Sequence, residues 1–290
     1  MTPSISNPAQ TLLELDAATF ERSFNRRAFK VRHHLSAHPL LNLPRLLELS
    51  RALPEQLVEY NAGNASISQN PDETPRTGLS IEETLRRIEE ECSWLVLKNV
   101  ERDPEYKALL DACLDEIQPF SDPVAPGMCG REAFIFVSSP GSTTPFHIDP
   151  EYNFLLQIQG TKFMTVFDRA DRSVISEETL ESYYCGAHRN LEFKPEYEAK
   201  GQAFELSPGT GLHVPVTAPH FVRNGDQVSI SLSITFQNPE NERRRTLYHA
   251  NAELRKRGLR PVAVGHSRLR DGVKVNAYRA LRRSGLAARK

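Results

Sequence analysis

Two histidines and an aspartate carry the clearest chemistry in this chain. His147 and Asp149 stand two apart in TTPFHIDPEYNF, so on an extended strand both side chains leave one face and can reach one ion. The best third ligand is His220, in PGTGLHVPVTAPHFVRN just before a strand-like run, because a barrel that folds back on itself brings distant strand ends together. Two imidazoles and a carboxylate on one side of a metal leave the other side open for a cosubstrate and O2, as in non-haem Fe(II) oxygenases. An HxD pair alone is weak, since a strand-capping His followed by an Asp149-Pro150 turn explains it equally well.

The surroundings of the pair are more specific, and they resemble the JmjC and cupin-like Fe(II)/2-oxoglutarate oxygenases, in particular the asparaginyl hydroxylase of hypoxia-inducible factor. In that family a Thr three before the first His, an Asn four after the Asp and a Lys thirteen after it line the cosubstrate pocket. Those offsets hold Thr144, Asn153 and Lys162 here. The resemblance implies that Lys162 pairs with the distal carboxylate of 2-oxoglutarate. Pro208, Gly209, Pro215 and His220 match the second motif, and the likeness spans roughly residues 93 to 240. Thr235 stands where the asparaginyl hydroxylase has a second Asn on the cosubstrate carboxylate, and Ala218-Pro219 replaces an aromatic pair before the last His. In the family pattern His213 falls on an ordinary strand position, so it is read as a packing or supporting residue.

The elements that must position these residues follow from periodicity. From Glu132 onward AFIFVSS, the ligand strand, and FLLQIQ turning at Gly160 into KFMTVFD read as short strands. Val228 to Phe236 alternates strictly, apolar residues on one face and Ser229, Ser231, Ser233 and Thr235 on the other, which places hydroxyls toward a polar cavity and the apolar face on helices. The fold class expected is mainly β with flanking helices: a double-stranded β-helix, the cupin or jelly-roll barrel, with N- and C-terminal helices. Residues 1–92 would form a helical support with a loop at 61–78, residues 93–240 the catalytic barrel, and residues 241–290 a basic helical end. Residues 11 to 25 and Pro44 to Leu53 have helical spacing, Ser80 and Glu83 a capping box for a helix ending near Cys92, and Asp103-Pro104 starts another helix. The 169–202 segment is a polar insertion with a helix around Ser176 to Tyr184, and the last helix is expected near Val275 to Leu286.

At 39% apolar and 25% charged residues the composition is that of an ordinary globular protein. It contains no apolar run near eighteen residues and no charged-then-apolar leader, and Cys92, Cys113, Cys129 and Cys185 show no CxxC spacing. A reduced, cytoplasmic protein without a membrane span is therefore expected. Charge is uneven. Residues 243–290 carry 15 Lys and Arg against Glu253 and Asp271, a +13 end on a −14 body. Docking on that body or a partner subunit is favoured over nucleic acid, because Tyr248 and Tyr278 are the only aromatics interleaved with the charges. The resemblance adds dimerisation through C-terminal helices.

These readings converge on an enzyme that hydroxylates an unidentified protein or small-molecule substrate, or demethylates it through hydroxylation, using Fe(II) and 2-oxoglutarate. A non-catalytic cupin-like metal- or ligand-binding regulatory protein is the alternative, and a buried Lys162 argues against it, since a metal-only cupin would leave that cation unpaired. A third reading, a zinc or manganese cupin enzyme, needs further ligands, for which Glu151 is the nearby candidate.

Overall fold

In the computed structural model, which describes residues 11–62, 66–69, 81–90 and 93–284, every paired strand runs antiparallel to its neighbours. The chain opens with β1 (Leu13–Glu14), α1 (Ala17–Ser23), β2 (Phe29–His33), α2 (Leu43–Ala52), β3 (Val58–Ala62) and α3 (Ile81–Arg86). There follow β4 (Ser93–Lys98), α4 (Pro104–Ser121), β5 (Cys129–Ser138), β6 (Thr143–His147), β7 (Tyr152–Gln159) and β8 (Lys162–Val166). It closes with α5 (Glu177–Tyr184), β9 (Gln202–Leu206), β10 (Thr210–Val214), β11 (His220–Asn224), β12 (Ser229–Gln237), α6 (Pro239–Lys256) and α7 (Arg268–Arg283).

Eight strands form one sheet, in the order β1-β2-β10-β7-β12-β5-β4-β3, and β6-β11-β8-β9 form a second. Leu155, Leu212 and Val214 of the large sheet pack with Met164, Val166, Phe204, Leu206 and Val222 of the small one, so the sheets enclose an apolar layer. The outer face of the large sheet packs on α1, α2 and α4 through a larger core that includes Ile230, Leu232, Ile234 and Phe236. On the opposite face of β12, Ser231 donates to Gln157 Oε1 (2.7 Å) and Ser233 to Asn153 Oδ1 (2.8 Å). The two faces of β12 are therefore used as its alternation predicts.

Several elements depart from the sequence expectation. Residues 11–25 are not one helix. The N–H groups of Leu12 and Leu13 donate to the Glu116 carboxylate, Leu13 pairs with His33, and the helix starts only after Asp16 caps Thr19. The turn at Gly160 falls between two strands as expected, and it carries the chain from the large sheet to the small one. The last helix starts at Arg268, because Ser267 accepts from Arg270 N and Asp271 is buried against Gly265 N. Ser80 and Cys92, with most of the 61–78 loop, lie outside the described residues. Helices at 43–52, 104–121 and 177–184 agree with expectation.

Gly160 has φ +69°, and a Cβ there would lie 2.4 Å from the Val228 carbonyl oxygen, which is rigid backbone. Gly160→Ala should cost about 2 to 4 kcal/mol from left-handed strain plus a forced backbone shift, measurable by urea denaturation. A loss below about 0.5 kcal/mol would show that the turn can relax.

Candidate metal and cosubstrate site

β6, β11 and β8 set the site in rows, because directly opposed residues project to one face. His147 faces His220, which faces Val166; two residues deeper Val222 faces Thr144 and Met164; two deeper again Asn224 faces Lys162, which faces Leu206. At about 3.3 Å per residue, Lys162 stands roughly 13 Å along the strand from the histidine row. A register shift between His220 and Val222 lets Thr144 and His147 share the inner face.

His147, Asp149 and His220 each place a ligand atom within 4.8 Å of the others. His147 Nε2 lies 3.6 Å and His220 Nε2 3.5 Å from Asp149 Oδ2. Each imidazole donates its Nδ1–H to a carbonyl two residues back, His147 to Pro145 O (2.7 Å) and His220 to Ala218 O (2.9 Å), which leaves both Nε2 lone pairs aimed at the carboxylate. Burial, with a smaller contribution from His147, lowers the His220 pKa to about 3. Burial also penalises the Asp149 carboxylate, but His147, Arg189 and His220 together outweigh this and hold its pKa well below the usual carboxylate range. An ionised carboxylate beside a neutral imidazole with a free nitrogen is a divalent-cation ligand set.

Two backbone ties fix this geometry. Thr217 N donates to Asp149 O (2.8 Å), joining the two ligand segments, and Thr217 holds φ +58°, a strained value for a β-branched residue. On the other edge of β6, Ile148 N donates to Arg189 O and Leu191 N to Phe146 O, with His147 bridged to Asn190, so the insertion runs as an added strand. Phe146 N donates to Ile67 O, which brings the described piece of the N-terminal loop to the same edge. Arg189 Nη1 donates to Asp149 Oδ1 at 3.0 Å. Neither Arg189 nor Thr217 has a motif in the sequence, because both act through positions that only the folded backbone brings together.

The residues named by resemblance surround one interior. Lys162 is 3% exposed and, among the described residues, has no carboxylate or hydrogen-bond partner, only the Phe136 ring 5.7 Å from Nζ. Burial lowers its pKa to about 7. Asn153 accepts from Ser233 through Oδ1, which leaves its amide N–H groups free among the described residues. Thr235 faces Asn153 in register and donates to Glu132 O (3.2 Å). An unanswered buried cation on the sheet that carries the two histidines, with free amide donors of Asn153 on the other sheet, would suit a carboxylate-bearing cosubstrate.

His213 is a packing residue, as expected. Its Nδ1 donates to Asn153 O, its Nε2 accepts from Asn25 N, and its ring stacks on Phe24 at 4.6 Å. Glu151 lies outside the triad cluster, and burial, reinforced by Asp149, raises its pKa to about 8. No support thus remains for it as a fourth ligand. Cys113 and Cys129 are free thiols, and Cys185 Sγ lies 3.5 Å from His249 Nδ1. No helix among the described residues is long and apolar enough to cross a membrane.

This fold resembles that of the JmjC and cupin-like Fe(II)/2-oxoglutarate oxygenases, and the His-Asp-His triad is similar to theirs. The chain is similar in fold to ycfD of Escherichia coli (17% identity, TM-score 0.54, covering 92% of this chain and 67% of that one) and to the Escherichia coli ribosomal oxygenase YcfD in complex with cobalt and 2-oxoglutarate (16%, 0.52, 93% and 67%). Its sequence is similar to human HSPB1-associated protein 1, 27% identical over 209 residues, 64% of this chain and 43% of that protein. It is also similar to lysine-specific demethylase 8 of Xenopus tropicalis, 33% identical over 103 residues, 33% of this chain and 22% of that protein. The chain spans less than half the length of these curated relatives, and no family model matches it. Within the class, the likeness to the asparaginyl hydroxylase is loose.

Proposed function

We propose that the chain is a 2-oxoglutarate-dependent dioxygenase that hydroxylates a protein or small-molecule substrate, or demethylates it through hydroxylation. His147, Asp149 and His220 hold Fe(II), Lys162 takes the distal carboxylate of 2-oxoglutarate, and Thr144, Asn153 and Thr235 line the same pocket. The observation that carries this reading is Lys162: a buried ammonium with no partner among the described residues, on the face that carries the triad. When bound, metal and cosubstrate supply oxidation of the substrate coupled to decarboxylation of 2-oxoglutarate to succinate and CO2. The chain's own part is to hold both imidazoles in one tautomer, keep Asp149 ionised, and exclude water with the apolar layer between the sheets.

The two sheets are read as the layers of a double-stranded β-helix over residues 93–240. The 1–92 segment extends the large sheet through β1, β2 and β3, and α6 sets Tyr248 in one apolar cluster with Ile148 beside the metal ligands. A cytoplasmic homodimer through the C-terminal helices belongs to the same proposal. Arg255 pairs with Glu178 and Glu181 of α5, which supports docking of the basic end on the chain itself.

Purified protein with Fe(II), 2-oxoglutarate and cell-extract fractions split into protein, RNA and small molecules should form succinate above background with a protein or small-molecule fraction. Metal retained with no succinate in any fraction and no 2-oxoglutarate binding would favour the non-catalytic cupin-like reading.

A further inference from the structure

The end of the barrel that carries the triad holds a second concentration of charge that this reading leaves unused. Arg169 follows β8 by three residues, and Arg244 lies on α6 one turn before Tyr248. Tyr184 of α5 stacks on Tyr248, ring centroids 5.0 Å apart and planes 7° from parallel. Tyr248 packs in turn with Ile148, the residue between His147 and Asp149. Arg169 is fixed in place: its Nη1 donates to Asn25 O (3.0 Å) and Oδ1 (2.5 Å), and the same Oδ1 accepts from Val216 N. On the far flank Tyr152 begins β7, its hydroxyl bonded to Asn238.

The charges of Arg169 and Arg244 act on one another and on the same three phenols. Burial, with the neighbouring Arg244 charge, lowers the Arg169 pKa to about 10; burial raises the Tyr152, Tyr184 and Tyr248 phenols, and both guanidiniums oppose that rise. Two like charges, each half-buried, are costly together unless something answers them. The neighbouring acids are engaged elsewhere, Glu240 with Arg243 and Glu177 with Arg172. Among the described residues Arg244 makes no ion pair, and the hydroxyls of Tyr184 and Tyr248 donate to no protein group. A cavity of about 520 Å³ has Tyr152 and Asn25, the residue that holds Arg169, in its lining.

We propose that Arg169, Arg244, Tyr184 and Tyr248 form an oxyanion-binding subsite at the metal end of the barrel, and that its ligand is a carboxylate or phosphate group carried by the substrate. Guanidinium forks and phenol hydroxyls left free to donate are complementary to such a group, and a planar guanidinium takes two of its oxygens at once. Through Tyr248 and Ile148 the subsite abuts the triad, so an anchored anion would hold the rest of a substrate over the metal. The assignment of the anion to the substrate rests on the oxygenase reading; anion binding itself does not.

The test is calorimetric titration of the full chain with inorganic phosphate at constant ionic strength, balanced with chloride. It is run with and without Mn(II) and 2-oxoglutarate. Saturable binding is expected in both conditions, weakened about 10- to 100-fold in Arg244→Gln and unchanged in Arg283→Gln on the exposed face of α7. An unaltered melting temperature of Arg244→Gln in chloride verifies its fold, and Tyr248→Phe supplies a second, milder variant. Absence of saturable binding, equal binding by Arg244→Gln and wild type, equal loss in Arg283→Gln, or displacement of phosphate by 2-oxoglutarate would each overturn the subsite. With the fraction active in the succinate assay, phosphate should compete with substrate in wild type and not in Arg244→Gln. Phosphate that binds without competing would overturn the assignment to substrate. Failure of the oxygenase reading looks different: no succinate, with phosphate affinity intact.

Discussion

Lys162→Met should make the cosubstrate-free protein more stable while removing 2-oxoglutarate binding. The buried ammonium has no partner among the described residues, and burial takes its pKa from 10.5 to about 7. Between those values the unfolded chain binds more protons than the folded one, so this group's contribution to stability rises with pH from about 7 toward 10.5 and is lost as pH falls. The cost near pH 7 is on the order of a few kcal/mol. A methionine of similar length fills the space without the charge. Urea denaturation from pH 7 to 10 should show the wild type gaining on the variant as pH rises, the variant being the more stable at pH 7. The affinity for 2-oxoglutarate should fall by about 100-fold or more, as for truncation of one partner of a buried charge pair. A destabilised variant with unchanged 2-oxoglutarate affinity would mean that Lys162 serves packing and not the cosubstrate.

Two buried histidines seven residues apart should fail in opposite ways. His220→Ala removes one of three metal ligands, so metal affinity should drop on the order of 100-fold or more and succinate formation should reach background, with the fold retained. His213→Ala should keep the metal but lose about 2 to 4 kcal/mol, because it opens a cavity beside Phe24 and Phe154 and leaves Asn25 N and the Asn153 carbonyl without their partner. Metal binding by equilibrium dialysis and stability by urea denaturation separate the two. Loss of metal in His213→Ala at unchanged stability would reverse the assignment of roles.

What the sequence revealed, and what it hid, follows from the range of the forces involved. The HxD pair, the Ser-Thr face of β12 and the Asp103-Pro104 helix start are local patterns, set by strand period or cap chemistry, whereas Lys162 is singled out by the family resemblance. β1 was hidden because Leu12, Leu13 and Leu15 also satisfy helical spacing; the decision lies with Glu116, about a hundred residues on, which takes the backbone donors of Leu12 and Leu13. The pairing of β10 with β2 and β7 shows no signature beyond ordinary strand composition. Arg169, Arg189 and Arg244 were hidden for a related reason. An arginine in a polar stretch looks like solvated surface until the fold sets it against an aspartate or a second guanidinium.

The added strand that residues 189–191 lay along β6 separates two kinds of selection. Its bonds to Phe146 and Ile148 are made by main-chain atoms, which are the same whatever side chains the insertion carries. Descendants of this sequence can therefore exchange the solvent-facing residues of 169–202 for those suited to a different substrate without loosening the strand that presents His147, so long as Arg189 on Asp149 and the apolar side chains packed on Phe146 are kept. A proline at Leu191, whose N–H bonds Phe146 O, would break that freedom whatever the other side chains, by deleting a donor the ligand strand depends on.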